Sequence, residues 1–327
     1  MNEQDDQLIC IVNPSAQNGR CLKIWRKLEK QLKTEDVSYI AYFTKEKKHA
    51  VELIKKIAEQ KRGKSVLIAV VGGDGTLHEV LNGAVKHKNI KVAFLPAGSG
   101  NDFSKGFHVS SDAMTALKDL LRIRKREGTH VDIGVIYDQN KVNPHYFINN
   151  MGAGFDAEVA QEANHSPFKQ VLSLFSLGKL AYVLILLKRL FTYERREIEL
   201  TIDGKSYHFS KAWFVTISNQ PYYGGGMKIA PNASPLDGKL DITVVHHVSR
   251  LKLLFVFFTV FSGKHVHIKG VEMFQGRYIH LDSSTRLPVH TDGEAAGVTP
   301  LSVTILPRQV RVMTANNQME KEEVRHC

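Results

Sequence analysis

The sequence predicts two domains of different fold class, an α/β domain followed by a mainly antiparallel β domain. Strand-like and helix-like segments alternate over about the first 125 residues, which is typical of a parallel sheet covered by helices. From about residue 130 onward, short strand-like segments separated by turn residues predominate. The length of 327 residues, with 43% hydrophobic and 24% charged residues, fits two folded domains and excludes general disorder.

The predicted strands of the α/β domain are apolar runs that stop at turn residues. They cover residues 8–12, 37–43, 66–71 and 90–95. Helical spacing of apolar residues predicts helices over about 22–32, 50–60 and 77–85. Ligands of such sheets bind at the loops that follow the carboxyl ends of the strands, so those loops are the first place to look for a site.

The second domain is predicted from short segments of strand character with turn residues between them. These segments are residues 131–137, 146–149, 197–202, 212–218, 240–246, 278–281 and 301–306. A helical insertion is predicted at about 168–191, and residues 315–327 form a polar, charged tail.

The net charge of +11 favours an anionic partner, and most of the excess lies in the first 130 residues. The three cysteines, Cys10, Cys21 and Cys327, show neither a disulfide framework nor zinc spacing. The acidic, polar N-terminus lacks the features of a signal peptide, and the longest apolar runs, 180–187 and 253–261, are too short to span a membrane. We therefore expect a cytoplasmic protein, with peripheral attachment to a membrane as an option.

Three glycine-containing loops follow predicted strands. They are Gly72-Gly73-Asp74-Gly75-Thr76, the segment Pro96-Ala97-Gly98-Ser99-Gly100-Asn101-Asp102, and the segment from Asn13-Pro14-Ser15 to Gly19-Arg20. Glycine allows close backbone approach, and the exposed N–H groups of a helix start favour phosphate. Because Asp74 would repel a bare phosphate, the sequence suggests an intervening Mg²⁺. Each loop alone also fits an ordinary turn, but three together favour a nucleotide site.

A further motif, Thr291-Asp292-Gly293-Glu294, places two carboxylates around a glycine. Such a pair could supply a general base, although Asp-Gly is also a common hairpin turn. The segment Gly152–Ala157 formally fits a dinucleotide fingerprint, but the expected acidic residue and βαβ context are missing. The histidines show no metal-binding spacing.

Taken together, these segments resemble the diacylglycerol kinase catalytic family, which includes bacterial lipid kinases, sphingosine kinases and ceramide kinases. The resemblance covers about residues 8–312. It rests on Asn13-Pro14 with Gly19-Arg20, Gly72 to Gly83, Pro96 to Asp102, Val131-Asp132-Ile133-Gly134, Asn150-Met151-Gly152, Gly224-Gly225-Gly226-Met227, Leu236 to Asp241, and Asp292-Gly293-Glu294. The order and number of these motifs are specific to the family, and they do not specify a substrate.

The resemblance implies an ATP-dependent kinase that phosphorylates a lipid hydroxyl, with diacylglycerol as the default acceptor. It also implies an N-terminal three-layer α/β domain like that of NAD kinase and phosphofructokinase, covering residues 1–130 with the return of about 308–327. A C-terminal antiparallel β-sandwich domain would cover 131–307 and contribute lipid-binding and catalytic residues. ATP would lie in the cleft between the domains.

Site residues follow from the same resemblance. Those implied to bind the nucleotide are Asn13, Pro14, Ser15, Gly19, Thr44, Gly72, Gly73, Asp74, Gly75, Thr76, Leu77, His78, Glu79 and Ser99. Asp74, Asp102 and Asp132 would form an aspartate–water–magnesium network. Glu294, with Asp292 beside it, would accept the proton. A second, structural Mg²⁺ would be held near Asn232, Pro235 and Asp237.

Two departures from the family pattern concern the nucleotide loops. Ser99 replaces the usual threonine but keeps the hydroxyl, and the segment between Ser15 and Gly19 is longer than the short version of this loop.

Alternatives left open by the sequence are a sphingoid or other lipid alcohol as acceptor, an NAD-like small molecule, and a catalytically silent nucleotide- or lipid-binding regulator. For the apolar runs near 168–191 and 251–261, core packing of helices against the β-sheet is the favoured interpretation, and contact with an anionic membrane, aided by the adjacent basic residues, is the competing hypothesis. A homodimer is an open option. No nucleic-acid recognition motif is present.

Overall fold

The computed structural model describes residues 7–138, 144–165 and 178–315. The structure divides into two compact units. The N-terminal unit contains the chain up to Ile133, the short segment Pro235–Asp237 and the residues from Leu306. The C-terminal unit contains Gly134–Ser234 and Gly238–Ile305. Within the described residues, no helix combines the length and apolar character needed to cross a bilayer.

The N-terminal unit is a parallel sheet between helices. Its elements are β1 (Leu8–Val12), α1 (Arg20–Thr34), β2 (Tyr39–Phe43), α2 (His49–Gln60), β3 (Val66–Gly72), α3 (Asp74–Ala84), β4 (Ile90–Pro96), α4 (Asp102–Gly106) and α5 (Ala113–Ile123). The strand order is β4-β3-β1-β2, and all neighbouring pairs are parallel. Helices α1 and α5 pack on one face of this sheet, while α3 contacts β3 and β4 and packs against α2.

The buried strands of this unit alternate their side chains between two apolar layers. Cys10 on β1 and Cys21 on α1 lie in the layer beneath α1 and α5, and both are fully buried. Burial raises the pKa of the Cys10 thiol to about 12. These cysteines therefore act as small core residues, as their isolated positions in the sequence suggest.

The described part of the C-terminal unit is built from antiparallel strands and contains three α-helices. Its elements are β5 (Thr129–Asp138), β6 (His145–Phe147), β7 (Asn150–Gly154), α6 (Phe155–His165), α7 (Gly178–Thr192), β8 (Arg196–Ile202), β9 (Lys205–Ser218), β10 (Leu240–His246), α8 (Arg250–Val260), β11 (Val271–Gly276), β12 (Tyr278–Ser283), β13 (Pro288–Thr291), β14 (Glu294–Val298) and β15 (Leu301–Val312). Strand β5 begins in the N-terminal unit, and strand β15 ends there.

The long strand β9 joins the two halves of this β structure. Its first half pairs with β8, with a register shift between Arg196 and Ile198, and its second half pairs with β7 and β10. Residues from both halves meet in one apolar core, and a second core forms where α6, α7 and α8 cover the sheet. The predicted fold class, α/β followed by an antiparallel β-sandwich-like domain, is confirmed.

The element predictions differ from the structure mainly where polar residues interrupt an apolar pattern. Helices α4, α5, α6 and α8 and strands β11, β13 and β14 were not predicted. Of the predicted helical insertion, residues 168–177 lie outside the described residues and α7 accounts for the rest, extending to Thr192. The predicted tail lies, beyond Ala315, outside the described residues.

Candidate functional site

Three loops of the N-terminal unit follow strands that are neighbours in the sheet. Asn13 follows β1, Gly73 follows β3 and Ala97 follows β4. Backbone hydrogen bonds join these loops: the Asn13 N–H donates to Val71 O at 3.0 Å, and the Ala97 N–H donates to Gly72 O at 2.7 Å. The structure thus brings together the three glycine-containing segments that the sequence analysis singled out.

Side chains connect the same loops. The Asn13 Nδ2 donates to Thr76 Oγ1 at 2.9 Å, and the Asn13 Oδ1 accepts the Ser15 N–H at 3.1 Å. The Gln17 side chain donates to the carbonyl oxygen of Gly98. Asn13 therefore fixes both its own turn, which contains Pro14, and the first turn of α3. This arrangement explains why an asparagine at the end of β1 is useful to the site.

The backbone of this region leaves little room for side chains. A Cβ on Gly73 would lie 3.2 Å from Gly98 Cα, and a Cβ on Gly98 would overlap Gly73 Cα. Beside them, the buried Oδ1 of Asn101 accepts no hydrogen bond from the described residues. A close-approach backbone at the start of α3 suits phosphate groups, and an orphaned amide oxygen suits a hard cation. The residues present therefore fit a nucleotide phosphate with a magnesium ion.

Two predicted acidic residues meet in this region. Asp74 is the first residue of α3, and its Oδ1 accepts the N–H of Phe103 at 3.2 Å, in the first turn of α4. Asp102, which begins α4, is buried. Gly73, which precedes α3, provides no side-chain cap, and the Asp74 carboxylate reaches across to the next loop. The structure brings Asp74 and Asp102 together.

Asp132 is held by different partners. Its Oδ1 accepts the N–H of Arg308 at 2.8 Å, and its own N–H donates to Pro235 O at 2.8 Å. The side chain is only 1% exposed. Asp132 therefore links β5 to β15 and to the segment that contains Pro235 and Asp237. Asn232, implied as a third ligand of a structural metal, belongs to the C-terminal unit. The described residues contain no cluster of three or more His, Cys, Asp or Glu side chains suited to a metal.

Other residues implied at the nucleotide site have structural partners. The Glu79 carboxylate accepts the N–H groups of Lys48 (2.8 Å) and Ala50 (3.2 Å), so it caps the start of α2. Leu77 is fully buried, and the His78 carbonyl accepts the side chain of Asn82. Thr44 is buried directly after β2, and its N–H donates to Val12 O. Ser99 is exposed. Gly19 precedes α1 with a φ of 85°.

In the C-terminal unit, the carboxylate pair lies on a tight hairpin between β13 and β14. Asp292 and Gly293 have φ values of 48° and 85°, and they form the two-residue turn between Thr291 and Glu294. Both Asp292 oxygens accept backbone N–H groups at 3.0–3.1 Å, from Ile148, Asn149 and Asn150. Asp292 therefore anchors the hairpin, while Glu294, half-buried at the start of β14, is displayed by it.

A buried histidine and aspartate support the same hairpin. His290 is 3% exposed, and its Nε2 lies 3.2 Å from the Asp156 Oδ2 at the start of α6. The Gly293 N–H donates to the His290 Nδ1 at 3.3 Å. The two contacts together require a neutral imidazole that carries its proton on Nε2. Asp156 also accepts the N–H of Ala157 at 2.9 Å.

An apolar pocket lies beside Asp156 within the C-terminal unit. Its walls come from α6, α7 and α8 and from the β9 end of the sheet, through Phe155, Val159, Leu186, Leu190, Phe214, Tyr223, Met227, Ile229, Leu253, Leu254, Val256, Phe257 and Val260. Among the described residues that line it, Asp156 is the sole acidic or basic side chain. The lining suits an apolar group that carries one polar atom near Asp156.

Several residues of this region were missed by sequence reasoning. Asp156 lies in the segment whose dinucleotide fingerprint was discounted, and His290 directly precedes the Thr291-Asp292-Gly293-Glu294 motif without belonging to it. The Asn219 side chain donates to Ile148 O, and the Gln220 side chain donates to Asn149 Oδ1. Both acceptors lie in the connection between β6 and β7. The signal available was the polar run Ser218-Asn219-Gln220 at the end of an apolar strand.

Comparison with known families gives two successive matches. Residues 7–136 match the model described as diacylglycerol kinase catalytic domain. Residues 149–314 match the model described as YegS C-terminal NAD kinase beta sandwich-like domain. The two models together account for most of the described residues.

Individual relatives cover nearly the whole chain. The "Putative lipid kinase YtlR" of Bacillus subtilis is 33% identical over 93% of this chain and 98% of its own length. A protein named diacylglycerol kinase from Mycobacterium tuberculosis is 27% identical over 94% of each chain. Among solved structures, a "putative diacylglycerol kinase" from Bacillus anthracis superposes with a TM-score of 0.75, at 25% identity, over 97% of this chain and 100% of that one.

Proposed function

Because this chain belongs to the diacylglycerol kinase family of lipid kinases, we propose that it transfers the γ-phosphoryl group of ATP to the hydroxyl group of diacylglycerol, which gives phosphatidate. The observation that carries the choice of a lipid acceptor is the apolar pocket of the C-terminal unit. Its apolar walls suit acyl chains better than a nucleotide acceptor such as NAD.

The N-terminal unit supplies the residues for ATP in this proposal. The backbone around Gly73 and Gly98 and the first turn of α3 bind the phosphates, and Asn13 and Thr76 keep the loops in register. Asp74 and Asp102, with Asn101, are the side chains that would hold Mg²⁺ here, where the ion neutralises phosphate charge when bound. Phosphoryl transfer needs mainly such positioning and charge neutralisation from a protein.

Glu294 is the proposed proton acceptor. An alcohol has a high pKa, so a carboxylate accepts its proton late, as the new P–O bond forms. Asp292 is a positioning residue in this scheme, because its two oxygens are already bound by three backbone N–H groups. The neutral His290 holds the turn at Gly293 from the other side.

A second acceptor class is favoured by one specific feature of the pocket. The Asp156 carboxylate would attract the ammonium group of a sphingoid base, a lipid alcohol with a single chain. Diacylglycerol has no such group. Asp156 is therefore the residue whose substitution would separate the two acceptors.

The direct test uses purified protein, Mg²⁺ and γ-labelled ATP with diacylglycerol, a sphingoid base, NAD or water as acceptor, the lipids being presented in mixed micelles. We expect label in phosphatidate, and transfer to NAD without transfer to any lipid would overturn the proposal. Glu294→Gln and Asp74→Ala should each abolish transfer while leaving the circular dichroism spectrum unchanged. Glu197→Gln, an exposed carboxylate on β8, is the matched control and should keep full turnover. Retained turnover in Glu294→Gln would remove the proposed base.

A further inference from the structure

Helix α8 is apolar on two opposite faces. One face packs into the core of the C-terminal unit through Leu253, Val256 and Val260. The opposite side is exposed and carries four large apolar residues, Leu251 (76% exposed), Phe255 (62%), Phe258 (71%) and Phe261 (51%). The first three are spaced i, i+4 and i+7, so they lie in one row. We call Leu251, Phe255, Phe258 and Phe261 the outer face of α8.

This outer face is presented by a well-anchored helix. The Ser249 side chain caps the helix by accepting the Lys252 N–H at 3.3 Å, and the Arg250 guanidinium donates to the carbonyl groups of Leu190 and Tyr193. Surface helices normally turn polar residues towards water, and exposed clusters of large apolar side chains mark interaction sites. The cluster is therefore a surface with a partner rather than the frayed end of the fold.

The charged residues nearest the outer face in sequence are all positive. Residues 242–271 contain no Asp or Glu, Arg250 and Lys252 lie in the first turn of α8, and Lys264 and Lys269 follow the helix. The Lys252 Nζ donates to Lys269 O at 2.8 Å, and none of these four residues forms an ion pair in the described part of the chain. Hydrogen bonds to neutral carbonyl groups leave the positive charge uncompensated. An anionic partner gains from this charge.

The basic residues Lys188 and Arg189 of α7, in contrast, are paired with carboxylates. Lys188 forms an ion pair with Glu162 at 2.7 Å, and Arg189 pairs with both Glu162 and Glu158. The sequence analysis placed the candidate membrane surface on both apolar runs. The contacts favour α8 over α7, and core packing accounts for only the inner half of the α8 run.

We propose that the outer face of α8 docks on an anionic lipid bilayer, with the four phenylalanine and leucine side chains entering the interface and the flanking basic residues binding the head groups. A second copy of the chain fits less well, because it would bring identical uncompensated positive charges together. This proposal rests on the proposed function, because docking would serve a kinase that takes its acceptor from the bilayer. The inner residues Leu254, Val256 and Phe257 of the same helix line the pocket assigned to the lipid acceptor.

The test is co-sedimentation of the purified full chain with vesicles of phosphatidylcholine alone or of phosphatidylcholine and phosphatidylglycerol in equal parts. We expect binding to the anionic vesicles only. Phe255→Ser with Phe258→Ser should weaken it at least about tenfold. The matched control is Tyr137→Ser, which removes an exposed aromatic side chain from β5. Lys264→Gln with Lys269→Gln should weaken binding about fivefold for each lysine, and Lys118→Gln with Arg124→Gln in the N-terminal unit should not.

A kinase assay separates this proposal from the proposed function. The Phe255→Ser, Phe258→Ser variant should keep its turnover on a short-chain, water-dispersed diacylglycerol and lose turnover on diacylglycerol in anionic vesicles. Wild-type binding by this variant would overturn the docking while leaving the kinase assignment intact. Sedimentation velocity tests whether the outer face instead binds a second copy of the chain. If the wild-type protein is a dimer, and the substitutions dissociate the dimer without changing vesicle binding, the partner is a second copy and the proposal is overturned.

Discussion

At the scale of single residues, Asp292 is the best test of how the candidate base is positioned. Replacing Asp292 with Asn puts an amide NH₂ group where backbone N–H groups now donate, so at least one of those donors loses its acceptor. We expect a loss of about 2 kcal/mol in the free energy of unfolding, by chemical denaturation. We also expect a lower kcat with an unchanged KM for ATP. Asp36→Asn is the control, since Asp36 is exposed and shares a positive φ of 50°.

The buried pair of Asp156 and His290 gives a second prediction. His290→Leu removes the donor to a carboxylate that is only 7% exposed, and this should cost about 3 kcal/mol of unfolding free energy. Asp156→Leu should also destabilise the protein. The double variant removes both polar groups, so it should lose clearly less than the sum of the two single losses. Additive losses in denaturant melts would mean that the two side chains do not depend on each other.

The same residues show what sequence reasoning could and could not find at the site. Glu294 and Asp74 stand in short motifs, so spacing along the chain was enough to make them candidates. Asp156 and His290 are 134 positions apart and meet only because β7, β13 and α6 pack together. The capping role of Glu79 likewise depends on a contact with residues 31 and 29 positions away. Contacts of this kind leave no local pattern.

At the scale of elements, the packing of α3 on α2 predicts whether an alanine at Gly83 raises or lowers the stability of the protein. Gly83 lies inside α3, where alanine ordinarily stabilises a helix by about 1 kcal/mol. A Cβ at Gly83 would, however, lie 2.8 Å from Ile54 Cβ and 3.0 Å from Val51 O on α2. Gly83→Ala should therefore lower the Tm, with a cost of about 1–3 kcal/mol from overpacking. A higher Tm would show that the two helices separate easily.

Elements with a long, regular apolar pattern were predicted more easily than short elements around turns, although the apolar run of α8 was not predicted as a helix. Strands β1 and β10 were predicted with the bounds that they have in the structure, since each is a continuous or alternating apolar run. Helix α5 was missed because its sequence ends in the basic cluster from Lys118 to Arg126, although its inner face is buried. Strands β13 and β14 were missed because four or five residues around an Asp-Gly turn carry too little apolar pattern.

At the scale of the whole molecule, the two units have separate apolar cores and separate candidate ligands, so each ligand should protect its own unit. Hydrogen exchange followed by mass spectrometry checks this. MgATP should slow amide exchange at residues 13–19, 72–79 and 97–103 of the N-terminal unit, because bound phosphates occupy the N–H groups of those loops. A non-phosphorylatable diacylglycerol analogue in micelles should slow exchange in α6 and α8, whose side chains line the pocket. Glu294→Gln should keep both patterns, since the base contributes to transfer rather than to binding. Protection of α6 and α8 by MgATP alone, with the glycine loops unchanged, would contradict the assignment of ATP to the N-terminal unit and would make the apolar pocket a nucleotide site.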